Sequence, residues 1–314
     1  APALLGRHRH RKSSLSFPVA YHRSRTACTG VRLLMVMVEN VVAEVRSVLA
    51  RHGLHCRHIQ LISPLASGRK SGRSTLRVEL ADGSTIKVRC LESIEEATRL
   101  ADLRSRVNSC FAPVTARHEA MLLESWVEGD ELSAALAAAR ADELGAILGR
   151  LHATDLPGRA AATATIERCE RAMEQLGALA ASGVISSALS ESLQRDLRRT
   201  DPRETAQTVV HLDYCPENLV VDSGGDLHVI DNEWISIGAP GLDVGRTYSR
   251  WPMTDDVWKV FLRGYLTTAP FDPGPLRFWM IVAAVAGTTV RLQKSSAELA
   301  VPLARLLELG VMSR

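Results

Sequence analysis

The chain has 314 residues, 46% hydrophobic and 23% charged, a balance that fits a folded globular protein and excludes a collagen-like or wholly disordered one. No apolar run approaches the roughly 20 residues of a membrane helix; the longest candidate, Leu33–Val38, is cut by Glu39, so a soluble cytoplasmic protein with no membrane partner is expected. Residues 1–38 hold seven Lys/Arg and no Asp or Glu, leaving 31 basic against 35 acidic residues in the remainder, so the net charge of +3 belongs to the start of the chain.

That basic segment, residues 1–37, lacks an apolar core and cleavage site of the secretory kind and is expected to be a disordered tail. A nucleic-acid arm is the rival reading, but no nucleic-acid partner is expected. Val38–His52 has Val41, Val42, Val45, Val48 and Leu49 at helical spacing and stops at Gly53, predicting an amphipathic helix that opens the folded part. Three strands follow, His58–Pro64, Ser74–Leu80 and Ser84–Leu91, the last two joined by the tight turn Ala81-Asp82-Gly83. A helix starts after Ser93, an N-cap with Glu96 three residues on.

Two more short apolar runs lie between Ala112 and Val127, and helical patterns then cover Leu132–His152 and Ile166–Leu197. A hairpin interrupts the helices, "NLVV", a "DSGGD" turn and "LHVI", before helical sequence resumes from Asp256, broken by "APFDPGPL". Strands gathered early and helices gathered late predict an α+β protein with a small sheet-rich lobe, residues 38–127, and a larger helical lobe, residues 128–314. The six cysteines are scattered with no C-x-x-C pair, which points to thiols in a reducing compartment and away from zinc or a disulfide framework.

Chemistry concentrates in "VVHLDYCPENLVVDSGGDLHVIDNEW", Val209–Trp234. Asn218 stands where one strand of the hairpin begins and Asp231 where the other ends, so antiparallel pairing brings them side by side. An amide oxygen and a carboxylate converging there are hard ligands suited to Mg²⁺ carrying phosphates. Asp213, five residues before Asn218, lies across a short loop, placed to accept a proton from an attacking hydroxyl. Each residue alone has a plainer reading as a turn former or cap; the joint spacing favours phosphoryl transfer.

The same segment closely resembles the catalytic loop and metal hairpin of the aminoglycoside phosphotransferase and choline kinase family, a branch of the protein kinase-like fold. The resemblance extends over about Val38–Gly264 and implies two lobes, ATP and Mg²⁺, and transfer of the γ-phosphate to a small-molecule hydroxyl. It implies Asp213 as catalytic base, Asn218 and Asp231 as metal ligands and His211 as a brace. "IDNE" stands where protein kinases have Asp-Phe-Gly, and no Ala-Pro-Glu segment follows, which argues against a protein kinase.

In the first lobe, "STIKVRC" resembles the strand bearing the family's ATP-binding lysine, with Lys87 the match and Arg89, on the same strand face, the rival. Glu96 is the preferred helix partner for Lys87 and Glu95 the alternative. The small residues Ser67, Gly68, Ser71 and Gly72 sit where a phosphate-covering loop belongs, although the stretch is neither G-x-G-x-x-G nor a Walker A motif. The resemblance implies adenine bonded to backbone between Glu124 and Val127, with Glu124 and Trp126 at that site. A catalytically silent nucleotide-binding pseudokinase or scaffold is the alternative, disfavoured by the intact Lys87, Asp213, Asn218 and Asp231.

The acceptor side is less defined. Trp234, Trp251 and Trp258 are candidates for a cation–π surface around an ammonium substrate, with core packing the competing reading. Charges nearly balance between Asp231 and Arg277, so no strongly acidic trough for a polycationic antibiotic is evident. Asp243 matches the family's second acidic segment only loosely, as "DVGR", and a helix cap is an equal reading.

Overall fold

The computed structural model describes residues 25–63, 73–107, 111–156, 163–251, 253–269, 274–294 and 299–311. The chain divides into two units, residues 1–47 and 48–314. The first contributes most of helix α1, Arg25–Arg51. Helical backbone therefore begins at Arg25, inside the segment expected to be a disordered tail and ahead of the expected start at Val38. From Val31 to His52 the sequence has neither Gly nor Pro, so no strong helix breaker stops the helix from extending N-terminally past Val38.

The second unit opens with β1 (Cys56–Ser63), β2 (Ser74–Leu80), β3 (Thr85–Cys90), α2 (Ile94–Arg106), β4 (Val114–His118) and β5 (Met121–Ser125). The strands form one antiparallel sheet in the order β1-β2-β3-β5-β4. Gly83, at φ +88°, makes the β2–β3 turn, and the Asp82 carboxylate accepts hydrogen bonds from Ser84 N (2.9 Å) and Oγ (2.7 Å). Ser93 caps α2 by accepting from Glu96 N at 3.2 Å, while Glu96 Oε2 accepts from Glu92 N at 3.2 Å, one residue further back than the usual reciprocal cap. Ala97, Leu100 and Leu103 form the buried face of that helix.

After β5 the chain crosses to the helical lobe through Gly129, where a Cβ would lie 2.3 Å from the Val221 carbonyl oxygen. There follow β6 (Asp130–Glu131), α3 (Ala134–Ala139), α4 (Ala141–His152), β7 (Thr163–Ala164), α5 (Ile166–Ala181) and α6 (Ser187–Thr200). The chain continues with β8 (Glu204–Thr205), β9 (Thr208–Val210), β10 (Leu219–Val221), β11 (Leu227–Val229) and β12 (Ser236–Gly238). It ends in α7 (Pro240–Arg250), α8 (Asp255–Thr268), α9 (Leu276–Gln293) and α10 (Ala300–Val311).

Two expected long helices are each divided, at Arg140 between α3 and α4, and between α5 and α6 at Gly183, whose φ is +73°. Helices α4 and α8 approach backbone to backbone: a Cβ on Gly145 would fall 2.0 Å from Phe261 O, and one on Gly264 1.8 Å from Asp142 O. The core runs through Leu144, Leu148, Tyr214, Phe261, Tyr265, Phe278 and Trp279, all fully buried. This is the two-lobe α+β architecture expected. Among the described residues no helix is long and apolar enough to cross a membrane.

Candidate active site

The loop after β9 is fixed from below. Val210 pairs with Ser236 in the β9–β12 ladder, so both ends of the segment Val210–Ser236 are tied together. Leu212 adopts φ +64°, a left-handed conformation that costs a branched side chain about 1–2 kcal/mol. The Asp243 carboxylate holds it there: Oδ2 accepts from His211 N at 2.7 Å and Oδ1 from Leu212 N at 2.8 Å. Asp243 sits in the first turn of α7, fully buried, and also accepts from His152 Nε2 at 3.1 Å. Burial would raise its pKa, but the His152 hydrogen bond and the His152 and His211 rings hold it below the ordinary carboxylate value. The weak "DVGR" match thus marks the brace of the loop.

His211 is equally buried, and burial pushes its pKa down, so the ring is neutral. Its Nδ1 accepts from Asp213 N at 3.2 Å and its Nε2 donates to Asn232 Oδ1 at 3.0 Å. The ring therefore links the loop to the segment following the hairpin, as a brace would. Tyr214 OH donates to Leu144 O at 2.8 Å, anchoring the loop on α4. Cys215 is buried, and burial pushes its thiol up, leaving an inert side chain.

The hairpin brings Asn218 and Asp231 together: Leu219 pairs with Val229, and Ile230 N donates to Asn218 O at 2.9 Å, leaving Asp231 one residue beyond. Asn218 Nδ2 donates twice to Asp213, to its carbonyl at 2.8 Å and to Oδ2 at 3.0 Å. Both donors are spent on acceptors, so the amide is oriented with its oxygen turned away from Asp213. Asp231 has φ +55°, and its side chain is 43% exposed. One amide oxygen and one open carboxylate fit a Mg²⁺ ion that takes its other ligands from phosphates and water. Among the described residues no group of three or more His, Cys, Asp and Glu side chains forms an all-protein cage.

Asn218, Asp231 and Lys87 line one cavity of about 350 Å³ together with Glu124, Ser125, Trp126 and Val127. Burial, then the neighbouring Arg89, push the Lys87 ammonium down to about 8, although Glu124 and Asp231 pull the other way. The expected Lys87–Glu96 pair is not made. Glu96 is bonded to Arg73 instead, and the exposed Glu95 does not take its place. The reason lies in strand geometry: Lys87 stands opposite Glu124 across β3–β5, and Arg89, also on β3, takes the carboxylates within reach.

Arg89, 1% exposed, donates from Nε to Glu124 Oε1 at 3.1 Å and from Nη1 to Glu233 Oε2 at 2.9 Å, with Asp231 Oδ1 at 3.9 Å. Arg104 Nη1 reaches Glu124 Oε2 at 3.3 Å. Burial would raise the Glu124 pKa, but Arg89 and Arg104 hold the carboxylate below its ordinary range. Glu124 therefore lines the cavity through an internal ion network that the sequence did not disclose. Ser67, Gly68, Ser71 and Gly72 lie outside the described residues.

A second cavity, about 540 Å³, meets the first at Asp231 and Glu233 and contains Asp213, Trp234, Arg246, Arg250, Arg291 and Lys294. Arg250 Nη1 bonds Asp213 Oδ1, a contact no sequence pattern announced. The aromatic cage is not formed: Trp251 and Trp258 are buried against Phe261, and only Trp234 is exposed, with the Arg73 guanidinium 4.9 Å from its ring centre.

The sequence profile described as the phosphotransferase enzyme family matches residues 68–279, more than half of the chain. No curated protein sequence matches it. Among solved structures, it is similar to choline kinase LicA from Streptococcus pneumoniae (TM-score 0.58, 14% identity, covering 88% of this chain and 99% of that one). A macrolide 2'-phosphotransferase from Brachybacterium faecium gives a TM-score of 0.57 at 17% identity, covering 84% and 97% respectively. Choline kinase from Cryptosporidium parvum Iowa II gives 0.55 at 12%, covering 82% and 88%. These likenesses show the kinase-like fold.

Proposed function

The chain belongs to the phosphotransferase enzyme family, and from that membership we propose that it transfers the γ-phosphoryl group of ATP, with Mg²⁺, to a hydroxyl of a small molecule. The observation that carries this reading is the meeting of two cavities at Asp231, one holding Lys87 and Asn218, the other Asp213. A nucleotide in the first and an alcohol in the second would bring phosphorus and oxygen together at that junction.

Asn218 and Asp231 would hold Mg²⁺, which neutralises charge on the phosphates and on the departing β–γ oxygen. Lys87 supplies an ammonium to the phosphates from β3. Arg89 does not compete with Lys87 for this role, because its guanidinium is bonded to Glu124 and Glu233; it ties Glu233 to the sheet. Asp213 is the base: the acceptor O–H proton passes to its carboxylate, the oxygen forms a bond to γ-phosphorus, and the bond from phosphorus to the bridging oxygen breaks to release ADP. Arg250 and Asn218 each hold one oxygen of that carboxylate and so set its plane.

The test is ADP release with Mg·ATP and a panel of alcohols, in the wild type and in Asp213→Ala and Asp231→Ala. Transfer is expected to depend on both carboxylates; a variant that phosphorylates at the wild-type rate removes that residue from the mechanism.

A further inference from the structure

We propose that the acceptor is an alcohol bearing an oxyanion, a carboxylate or a phosphate, held by Arg246 and Lys294 in the cavity beside Asp213. The proposal rests on the phosphotransferase reading above and narrows its acceptor.

Four cations line this cavity. Arg246 and Arg250 lie four residues apart on one face of α7, and Arg291 and Lys294 three apart at the C-terminal end of α9. The cavity holds three carboxylates against these four cations, and two of the three are already engaged. Asp213 is paired with Arg250 and Glu233 with Arg89, while the open Asp231, on the border with the first cavity, is the carboxylate assigned above to Mg²⁺. Arg246 and Lys294 have no carboxylate within 4.0 Å among the described residues, so the charge left unneutralised in the cavity is positive. Like charges one turn apart on a helix oppose folding by a few tenths of a kcal/mol. Retaining them without an internal partner leaves a ligand anion to complete the site.

The nucleotide does not account for them. Its cavity shares only Asp231 and Glu233 with this one, and neither Arg246 nor Lys294 lines it. An ammonium-bearing acceptor is disfavoured twice over. It would meet uncompensated cations of like charge, and among the described residues the cavity offers no open aromatic surface to receive it, Trp251 and Trp258 being buried and Trp234 already facing Arg73.

Calorimetric titration of the full chain decides the matter, using glycerol 3-phosphate and 3-hydroxypropionate as anionic probes against glycerol, choline and kanamycin. Each is titrated with and without a saturating Mg²⁺ complex of a non-hydrolysable ATP analogue. The expected result is tighter binding of at least one anionic probe than of any neutral or cationic one, weakened roughly fivefold or more by Arg246→Gln and by Lys294→Gln. Which anion binds more tightly distinguishes phosphate from carboxylate. Absence of anion binding, tighter binding of choline or kanamycin, or an anion preference unmoved in both variants would overturn the proposal. Failure of the ATP analogue itself to bind would instead strike the phosphotransferase reading, and the titrations made without it would still decide the acceptor.

Discussion

The two sides of Asp231 treat positive charge in opposite ways. On the sheet side, Arg89 and Arg104 are almost fully buried and share Glu124 between them, with Glu233 completing the set. On the helical side, Arg246 and Lys294 line an open cavity without a carboxylate partner among the described residues. Buried charge must be compensated inside the protein because desolvation is costly, whereas partly exposed charge can wait for a ligand. The first cluster is therefore part of what holds the lobes in register. The second belongs to recognition.

That contrast can be tested by removing charge from each side and at the boundary between them. At the boundary, Asp213→Asn keeps the shape of the side chain but not its basicity; kcat is expected to fall by roughly 10²–10⁴ with the melting curve retained, measured as ADP release. Within the buried cluster, Glu124→Ala strands two guanidiniums and is expected to cost about 3–5 kcal/mol of stability in urea unfolding. Asp243→Ala leaves His211 N, Leu212 N and His152 without their acceptor, so a loss on the order of 3 kcal/mol is expected, together with lost turnover from a loop no longer held at Leu212.

Lys87 gives a pH-dependent prediction. Its folded pKa, about 8, lies below the ordinary lysine value of 10.5, so between those values the unfolded chain binds more protons and this group makes stability rise with pH. Binding works the other way: the ammonium that meets phosphate is lost as pH rises through 8, so the Kd for Mg·ATP is expected to increase from pH 7 to 9. Lys87→Met should flatten that rise. The smallest effect belongs to the open side, where Arg246→Gln and Lys294→Gln are expected to change stability by less than about 0.5 kcal/mol. A large loss of stability there would erase the distinction between the two clusters.

Local patterns were legible wherever the chemistry was local. β2 matches its expected span, Ser93 caps α2, and the "DSGGD" hairpin sets Asn218 beside Asp231, because caps, tight turns and antiparallel register depend on residues a few positions apart. The misreadings involve distance. Lys87 was expected to meet Glu96, yet Arg73 occupies that carboxylate and Arg89 takes Glu124; two cations on one strand face look alike until packing decides which is buried. The start of the chain was expected from its basic, acid-free composition to be a tail up to residue 37, whereas helix α1 begins at Arg25.

From sequence came the early strands and late helices, carried by hydrophobic period, and the hairpin that sets Asn218 beside Asp231, carried by short-range spacing; the kinase-like architecture came from the resemblance of Val209–Trp234 to a known family. Folding decided the partners of the charges. Asp243 beneath the loop, Arg250 on Asp213, the Arg89–Glu124–Arg104 cluster and the basic wall of Arg246 and Lys294 bring together residues 20 to 48 positions apart. Such pairs form only when helices and sheet have packed, since a guanidinium can reach several carboxylates and burial selects among them.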